Sequence, residues 1–398
     1  MEVGRHRLEV PTIGPVSSLP GPRLALSRAL LSGLATAALL PELVRVRGGD
    51  AATCLHLGAL FAVGTLASEL PSALLADRDS SPRMWLQRAG VVQTIGLVAM
   101  AFAGDLFSLG AAIVVVGIGA GMCTGAEARA SLAIGGDARS IARLEVLAAL
   151  GKAATCLLIA LLASVGGLAA RTTILLSAVL TLVGVMLART LPDEVAAHGR
   201  RRGARTDDRR RGLSLGPISL IFGVAALTLV ARGTDPLDAF AVTTRGGGLL
   251  ACALLLSGKG LVARAIAPSL AHARLHGAAL AAVLAAAPLA LVVRFPAEWA
   301  LPVIGLACGV AGGAAAAARG VLLARLGARR VGTVAAIEAT VRRVALASTA
   351  LILAPALRTH GWVGPYAVAG TIAVLGGLAV VTPGAIRTVV GVRAVARN

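Results

Sequence analysis

The chain has 398 residues, of which 57% are Ala, Val, Ile, Leu, Met, Phe, Trp, Tyr or Cys and 48 are Gly. Charged residues make up only 14%, whereas soluble chains carry about 25%. The charges cluster between long uncharged stretches. The composition therefore excludes a water-soluble globular protein and indicates a polytopic α-helical membrane protein.

The formal net charge is +19, from 38 Lys and Arg residues against 19 Asp and Glu residues. A nucleic-acid binding protein needs one basic face and aromatic side chains for stacking. This chain has only three Trp, one Tyr and six Phe, and its Arg residues recur between apolar segments. We therefore expect no nucleic-acid partner. The strong preference for Arg over Lys indicates a GC-rich bacterial genome.

A bilayer core of about 30 Å needs roughly 20 apolar residues in a helix. The sequence accordingly predicts an all-α membrane protein with twelve transmembrane segments. Numbered 1 to 12 in chain order, they lie at 24–43, 53–76, 88–104, 107–128, 143–165, 172–190, 213–231, 247–267, 275–293, 299–318, 333–356 and 362–383.

A hydrophilic insert from Pro192 to Gly212, which contains HGRRRGARTDDRRRG, separates six segments from six. ALLAD at 73–77 and GLVAR at 260–264 leave segments 2 and 8 at an offset of 187, which favours a duplicated half. The predicted organisation is a tail at 1–23, a six-helix bundle at 24–192, a linker at 193–212, a second six-helix bundle at 213–386 and a tail at 387–398.

The distribution of basic residues between alternate loops predicts the orientation of the chain. Twenty-seven Lys or Arg residues fall on the side of the N-terminus and seven on the other side. Because cytoplasmic loops carry the excess of basic residues, we expect both termini and the linker in the cytoplasm. Four basic residues lie inside segments instead: Lys152, Lys259, Arg342 and Arg343.

The five cysteines all lie in apolar segments without C-x-x-C spacing, so we expect buried thiols rather than disulfides or metal ligands. Gly258-Lys259-Gly260 lacks the hydroxyl residue and the loop of a phosphate-binding motif. No pattern of catalytic residues occurs on a soluble domain. The sequence predicts a protein that is not an enzyme and needs no cofactor.

The segment ELPSALLADRDSSPR at 69–83 is the most specific motif. It resembles the E-x-P-x-G-x-x-A-D-R-x-G-R-R signature between helices 2 and 3 of the major facilitator superfamily. Ala73 replaces the first family Gly, and Ser80-Ser81-Pro82 replaces the second Gly and one Arg. GIGAGMCTGAEA at 117–128 in segment 4 is similar to a second family pattern, G-x-G-x-x-x-S-G-x-x-E-A.

This resemblance implies a transporter fold of two pseudo-symmetric six-helix bundles with a gate at the cytoplasmic end. In a gate, Asp77 and Arg78 would pair with Glu127 and Arg129 in one conformation and separate in another. The alternative is that they are ordinary positive-inside residues at solvated helix ends. The predicted gate and motif residues are Glu69, Pro71, Ala73, Asp77, Arg78, Arg83, Gly121, Gly125, Glu127 and Arg129.

Ionisable residues inside membrane segments are functional candidates because burying them is costly. Lys152, predicted near mid-membrane in segment 5, would contact an anionic substrate or, two helical turns away, Glu145. In segment 11, Glu338 and Arg342 have the spacing of an intrahelical pair, which leaves Arg343 on another face. Arg28 in segment 1 is a further candidate, although snorkelling of its side chain to the cytoplasmic interface is the favoured explanation.

The function we expect is secondary transport of a small organic solute by a monomeric permease in a bacterial inner membrane. Proton coupling is a hypothesis based on Glu127, Glu145 and Glu338. Export is slightly favoured because no pattern resembles a selective nutrient site, and the lack of Asn in the segments disfavours a sugar site. Segment 5 lacks the G-P-x-x-G-G pattern of drug antiporters. The alternative is a non-transporting permease that acts as a membrane scaffold or sensor.

Overall fold

A computed structural model describes residues 20–31, 34–78, 81–135, 138–191, 215–272, 300–326 and 331–395. These residues form helices joined by short turns and contain no strand. The helices are α1 (Pro20–Leu30), α2 (Leu34–Val46), α3 (Ala51–Arg78), α4 (Pro82–Phe102), α5 (Leu106–Gly135), α6 (Ala138–Val165), α7 (Ala170–Arg189), α8 (Leu215–Thr228), α9 (Asp235–Thr244), α10 (Leu249–His272), α11 (Ala300–Leu326), α12 (Val331–Ala347), α13 (Thr349–His360) and α14 (Val363–Val395).

These helices account for eleven of the twelve predicted segments; segment 9 lies outside the described residues. Segment 1 comprises α1 and α2, segment 7 comprises α8 and α9, and segment 11 comprises α12 and α13. Among the described residues, nine helical stretches are long and apolar enough to cross a bilayer. Large apolar side chains such as Phe107, Val165 and Leu351 face outward, as lipid-facing residues do.

Segment 7 is longer than the sequence predicted. The helix does not end at residue 231 but continues through a π-helical turn at Leu229–Gly233 into α9. The apolar span therefore runs from Ile218 to Thr244. Arg232, assigned from the sequence to a loop, lies inside this span because the helix continues past it.

Two of the spans begin at Asp caps. Asp50 Oδ1 accepts hydrogen bonds from the Thr53 backbone nitrogen at 2.8 Å and from Thr53 Oγ1 at 2.7 Å. Asp105 Oδ1 accepts from the Ser108 backbone nitrogen at 2.7 Å. Hydrogen bonds to Thr53 lower the pKa of the Asp50 carboxyl below its ordinary value. Such caps satisfy the free N–H groups at helix starts.

One end of the protein is formed by five short connections, at 47–50, 103–105, 166–169, 245–248 and 361–362. We call it the short-loop face. Arg47 Nε donates to the Ala103 carbonyl at 3.2 Å, and the Arg171 guanidinium lies 4.1 Å from the Phe102 ring centre. The connections of different helix pairs are therefore tied to one another at this face.

The same helix pairs pack in both parts of the chain. Segments 2 and 4, which are α3 and α5, pack against each other as α10 and α11 do for segments 8 and 10. Segment 1 packs on segments 5 and 6, and segment 7 packs on segments 11 and 12. Glycines allow the close approach of α3 and α5, since a Cβ on Gly64 would overlap the Val114 carbonyl and one on Gly117 the Phe61 carbonyl.

Several contacts between the two parts of the chain involve helices that lead into the short-loop face. There α2 packs on α9, α6 packs on α10, and α3 packs on α13. One apolar cluster joins all four helices of the first two pairs and consists of Ala38, Cys156, Ala160, Ala239, Val242, Cys252, Ala253 and Leu256. Gly58 of α3 admits the Pro236 ring, whose Cγ would lie 2.7 Å from an added Cβ. This face is closed by tight apolar packing.

Candidate functional site

Lys259 of α10 is the centre of a buried polar network. Its side chain is 2% exposed, and its Nζ donates to Asp235 Oδ1 and Asp238 Oδ2, both at 2.6 Å. A third hydrogen bond, at 3.2 Å, goes to Thr234 Oγ1. All three donors of the ammonium group are thus used, which is how a lysine charge is tolerated inside a protein.

Asp238 is the most completely satisfied carboxylate of this network. Its side chain is fully buried, and Tyr366 of α14 donates its hydroxyl to Oδ1 at 2.7 Å. Thr234 Oγ1 donates to Oδ2 at 3.0 Å, the same oxygen that receives Lys259. Asp238 therefore joins α9, α10 and α14 through charge-assisted hydrogen bonds.

Asp235 differs because it lies between two cations. Besides Lys259, its Oδ2 lies 3.5 Å from Arg232 Nη1 on the π-helical turn. The Arg232 side chain is 46% exposed and that of Asp235 is 11% exposed. Both aspartates lie in the first turn of α9, where the helix dipole stabilises negative charge.

The four charged groups form a line of alternating sign, Arg232, Asp235, Lys259 and Asp238, which we call the ion chain. The line has no net charge when every member is ionised. Asp235, Lys259 and Asp238 together have a net charge of −1, and the charge of Arg232 neutralises it. Because Asp235 and Asp238 lie within the span Ile218–Thr244, this neutralisation takes place inside the membrane.

A second ion pair is buried in the first part of the chain. Arg28 Nε lies 3.0 Å from Glu127 Oε2, with side-chain exposures of 8% and 15%. Arg28 is therefore buried against α5, which corrects the interpretation that it reaches to the interface. Glu127, Lys152 and Arg28 all lie near the buried Cys123 thiol, so segments 1, 4 and 5 bring these groups together.

Lys152 lies near the middle of helix α6. That helix runs from Ala138 to Val165, and its apolar span starts at Val146, six residues before Lys152. The other lysine of the chain, Lys259, lies 10 residues after the start of α10.

The third ion pair joins the two parts of the chain. Glu69 Oε2 of α3 lies 3.6 Å from Arg343 Nε of α12, and the Glu69 side chain is 3% exposed. Arg343, which the sequence left on a face of its own, thus meets the first residue of the ELPSALLADR motif. Segments 2 and 11 carry this contact.

The remaining predicted residues are placed only in part. Gly121 packs against α3, where an added Cβ would overlap Ser68 Oγ. Pro71 lies within the continuous helix α3, and both Arg83 and Arg342 are half-buried and make contacts. The other predicted site residues lie outside the part of the chain whose side chains the structure describes: Ala73, Asp77, Arg78, Gly125, Arg129, Glu145 and Glu338.

Sequence reasoning missed the acidic members of the ion chain. Segment 7 was ended at residue 231, so Asp235 and Asp238 were counted as loop residues. The available signal was the apolar stretch on both sides of DPLD, together with a lysine inside segment 8. Tyr366, the single tyrosine of the chain, carried no local signal because its partner lies 128 residues away.

No family model and no curated protein matches the sequence. Solved structures, by contrast, share its fold. A POT family transporter in complex with a thioalcohol-conjugated peptide superposes with a TM-score of 0.68 at 14% identity, covering 91% of this chain and 95% of that one. A point mutant of the nucleoside transporter NupG gives 0.66 at 11% identity, covering 92% and 99%.

The human organic anion transporter MFSD10 gives a TM-score of 0.65 at 15% identity, covering 90% of this chain and 98% of that one. The chain has the major facilitator fold. The family resemblance of the motif at 69–83 is confirmed at the level of this fold. The protein is a multi-pass membrane protein, and its structural neighbours are transporters rather than enzymes, which agrees with the expectation from the sequence.

Proposed function

We propose that this protein is a secondary active transporter that moves a small organic solute by alternating access. The observation that carries the proposal is the ion chain, which holds three buried charged side chains inside two apolar spans of a major facilitator fold. Burying charge in a membrane is costly, and residues so placed mark substrate and ion pathways. A scaffold with the same fold would have no need of them.

The moving parts in this proposal are the bundles at 24–192 and 213–386, which rock against each other around a central cavity. The termini and the 193–212 linker lie in the cytoplasm, so the short-loop face is external. The conformation is then closed to the outside. The helix pairs α2 with α9 and α6 with α10 support this assignment, because their contacts are made by small apolar side chains that can separate without leaving charges unpaired.

The substrate proposal stays at the level of a small organic solute. The structural neighbours handle a nucleoside, a conjugated peptide and organic anions, so the fold accommodates several chemistries. We propose that a proton gradient drives the transport, that the solute is exported, and that the protein works as a monomer in a bacterial inner membrane. Metabolite profiles of deletion and overexpression cells would supply the first candidate solutes.

Alternating access can be tested with the protein's own cysteines, which are all buried and free. Cys156 of α6 lies in the apolar cluster that closes the short-loop face, whereas Cys123 lies in a cluster within the first bundle. Two variants would each retain one of these cysteines, with the other four replaced by Ser or Ala. Right-side-out vesicles would be treated with a membrane-impermeant thiol reagent while candidate solutes are added.

A transporter predicts that a transported solute changes the labelling rate of Cys156 several-fold and leaves that of Cys123 unchanged. A scaffold or sensor without alternation predicts a Cys156 rate that no solute changes. Accumulation of the same solute in everted vesicles, which expose the cytoplasmic side, would establish export. Accumulation only in right-side-out vesicles would show import and contradict the proposed direction.

A further inference from the structure

Asp235 has two cationic partners that differ strongly in exposure. Lys259 is buried at 2% exposure and contacts Oδ1 at 2.6 Å, while Arg232 is 46% exposed and lies 3.5 Å from Oδ2. The Lys259 contact is a short hydrogen bond between two buried side chains. The Arg232 contact is longer, and the Arg232 side chain is about half exposed, so this ion pair breaks more readily than the Lys259 pair.

We propose that Arg232 and a proton compete for Asp235, and that Asp235 is therefore the residue that takes up the coupling proton. In the present conformation Arg232 balances the net charge of −1 of Asp235, Lys259 and Asp238. When a proton binds the Asp235 carboxylate, a neutral carboxyl group forms and the inner three residues become neutral by themselves. Arg232 keeps its charge and is released, so the charge balance of the buried site is preserved in both states.

The assignment to Asp235 rather than Asp238 follows from their partners. Asp238 is fully buried and accepts hydrogen bonds from Lys259, Thr234 and Tyr366. These three donors occupy both of its oxygens. Asp235 has two cationic partners, one of which can leave, and its side chain retains 11% exposure. A proton can therefore reach Asp235 without dismantling the remainder of the network.

The ionisable groups around Asp235 come from several elements. Arg232 is on the π-helical turn and Lys259 is on α10. Cys308 of α11 lies near both aspartates. Tyr366 of α14 faces Asp238, with Arg245 at longer range. From α3, Gly58 contacts the apolar ring of Pro236. From α2, Glu42 lies near Cys252 of α10.

The location of Arg232 suits a contact that depends on conformation. It lies on the π-helical turn Leu229–Gly233, an uncommon geometry that is frequent at functional sites. This turn packs on α11, α12 and α14, while α9 beyond it packs on α2 and α3 of the other bundle. Pairing of Arg232 with Asp235, three residues apart, fixes the junction between the π-helical turn and α9, and α9 is the helix that packs on the other bundle.

Protonation is expected to weaken that closed conformation, because a group that binds one state better shifts the population towards it. This inference rests on the proposed function, and its test uses the same labelling of Cys156 as the readout. The variant retaining only Cys156 would be placed in lipid nanodiscs without any solute and labelled from about pH 8 to about pH 5 after correction for thiol ionisation. We expect the corrected rate to rise about threefold on acidification, the range that a partly exposed ion pair supplies.

Two variants locate the response. In Asp235→Asn the rate should be high at every pH, because a neutral side chain mimics the protonated state. In Arg232→Gln, which changes a half-exposed side chain and should fold, the rate should likewise be raised and lose its pH response, because no Arg232–Asp235 pair is left for the proton to break. Asp105→Asn, a cap at the short-loop face, should keep the parental response. Replacing K⁺ by Na⁺ at constant pH should change nothing.

The proposal is overturned if Asp235→Asn or Arg232→Gln retains the parental pH response, or if Na⁺ produces the same change. A Cys156 rate that responds to solute but not to pH would reject the coupling site and leave the transport proposal standing. A rate that responds to neither would reject both.

Discussion

Glu69 and Arg343 form an ion pair that joins the two parts of the chain, with Oε2 and Nε 3.6 Å apart. Glu69 belongs to the motif at the end of segment 2, and Arg343 lies in segment 11, whose helices α12 and α13 both pack on α3. Because Glu69 is almost fully buried, its charge depends on partners from α12. This pair links the motif to the opposite bundle.

We expect Glu69→Gln and Arg343→Gln each to lower the thermal stability of the purified protein. The coupling energy in the double variant should be about 1 kcal/mol, near the upper end for ion pairs that retain some exposure. Thermal unfolding in one detergent, for the two single variants and the double variant, measures it. Additive effects would show that the two side chains do not interact. Arg343→Lys, which keeps the charge, is the control.

Removal of Lys259 should be much more damaging than removal of its partners' charges. Lys259→Met leaves two buried carboxylates without their shared cation, and breaking a buried ion pair in this way costs about 3–5 kcal/mol. The triple variant Lys259→Met, Asp235→Asn, Asp238→Asn removes all three charges and should recover most of the folded protein. Size-exclusion chromatography of a fluorescent fusion measures the folded fraction. A triple variant no better than Lys259→Met would contradict the ion chain.

Tyr366→Phe removes a single hydroxyl and leaves Asp238 with one donor fewer. Loss of a hydrogen bond to a buried carboxylate should destabilise the protein by about 1–3 kcal/mol. Thr371→Val on the same helix is the matched control, because Thr371 is exposed and bonds only to the Ala367 carbonyl of its own helix. Equal melting temperatures for Tyr366→Phe and Thr371→Val would show that the Tyr366 contact contributes nothing.

Helix packing gives a prediction with an internal control. Gly64→Ala places a methyl group against the Val114 carbonyl and should separate α3 from α5, costing about 1–3 kcal/mol by overpacking. Gly258→Ala, also within a helix, meets open space and should be neutral or stabilising because Ala is the better helix former. Expression and melting temperature of the two variants decide the matter; similar losses in both would argue against the close contact.

Asp50 provides a prediction for pH. Thr53 holds the pKa of Asp50 below the ordinary value of 3.8, so the cap adds stability above that pH and loses it as the pH falls through the lowered value. Asp50→Ala should cost about 1 kcal/mol near neutral pH, with the difference from the parent shrinking below about pH 4. Asp50→Asn, which keeps a capping oxygen, should show little loss at either pH.

The sequence by itself determined the membrane class, the positions of most spans and the fold. Apolar length and the motif at 69–83 suffice for this, because each span must satisfy its own backbone hydrogen bonds in lipid and its composition reports that requirement locally. Arg28 and segment 7 show where this logic stops. The sequence analysis placed Arg28 at the membrane interface and DPLD in a loop, because hydropathy predicts that charged residues lie in water.

Only the tertiary structure decided which charges are paired inside the membrane. Glu127 meets Arg28 across 99 residues, Tyr366 meets Asp238 across 128, and Glu69 meets Arg343 in the other part of the chain. Such pairs depend on which helix faces pack together, and a face is set by all neighbouring helices rather than by local composition. The ion chain exists because α9, α10 and the π-helical turn place Lys259 and Arg232 beside Asp235, and buried charges are stable only where such partners meet.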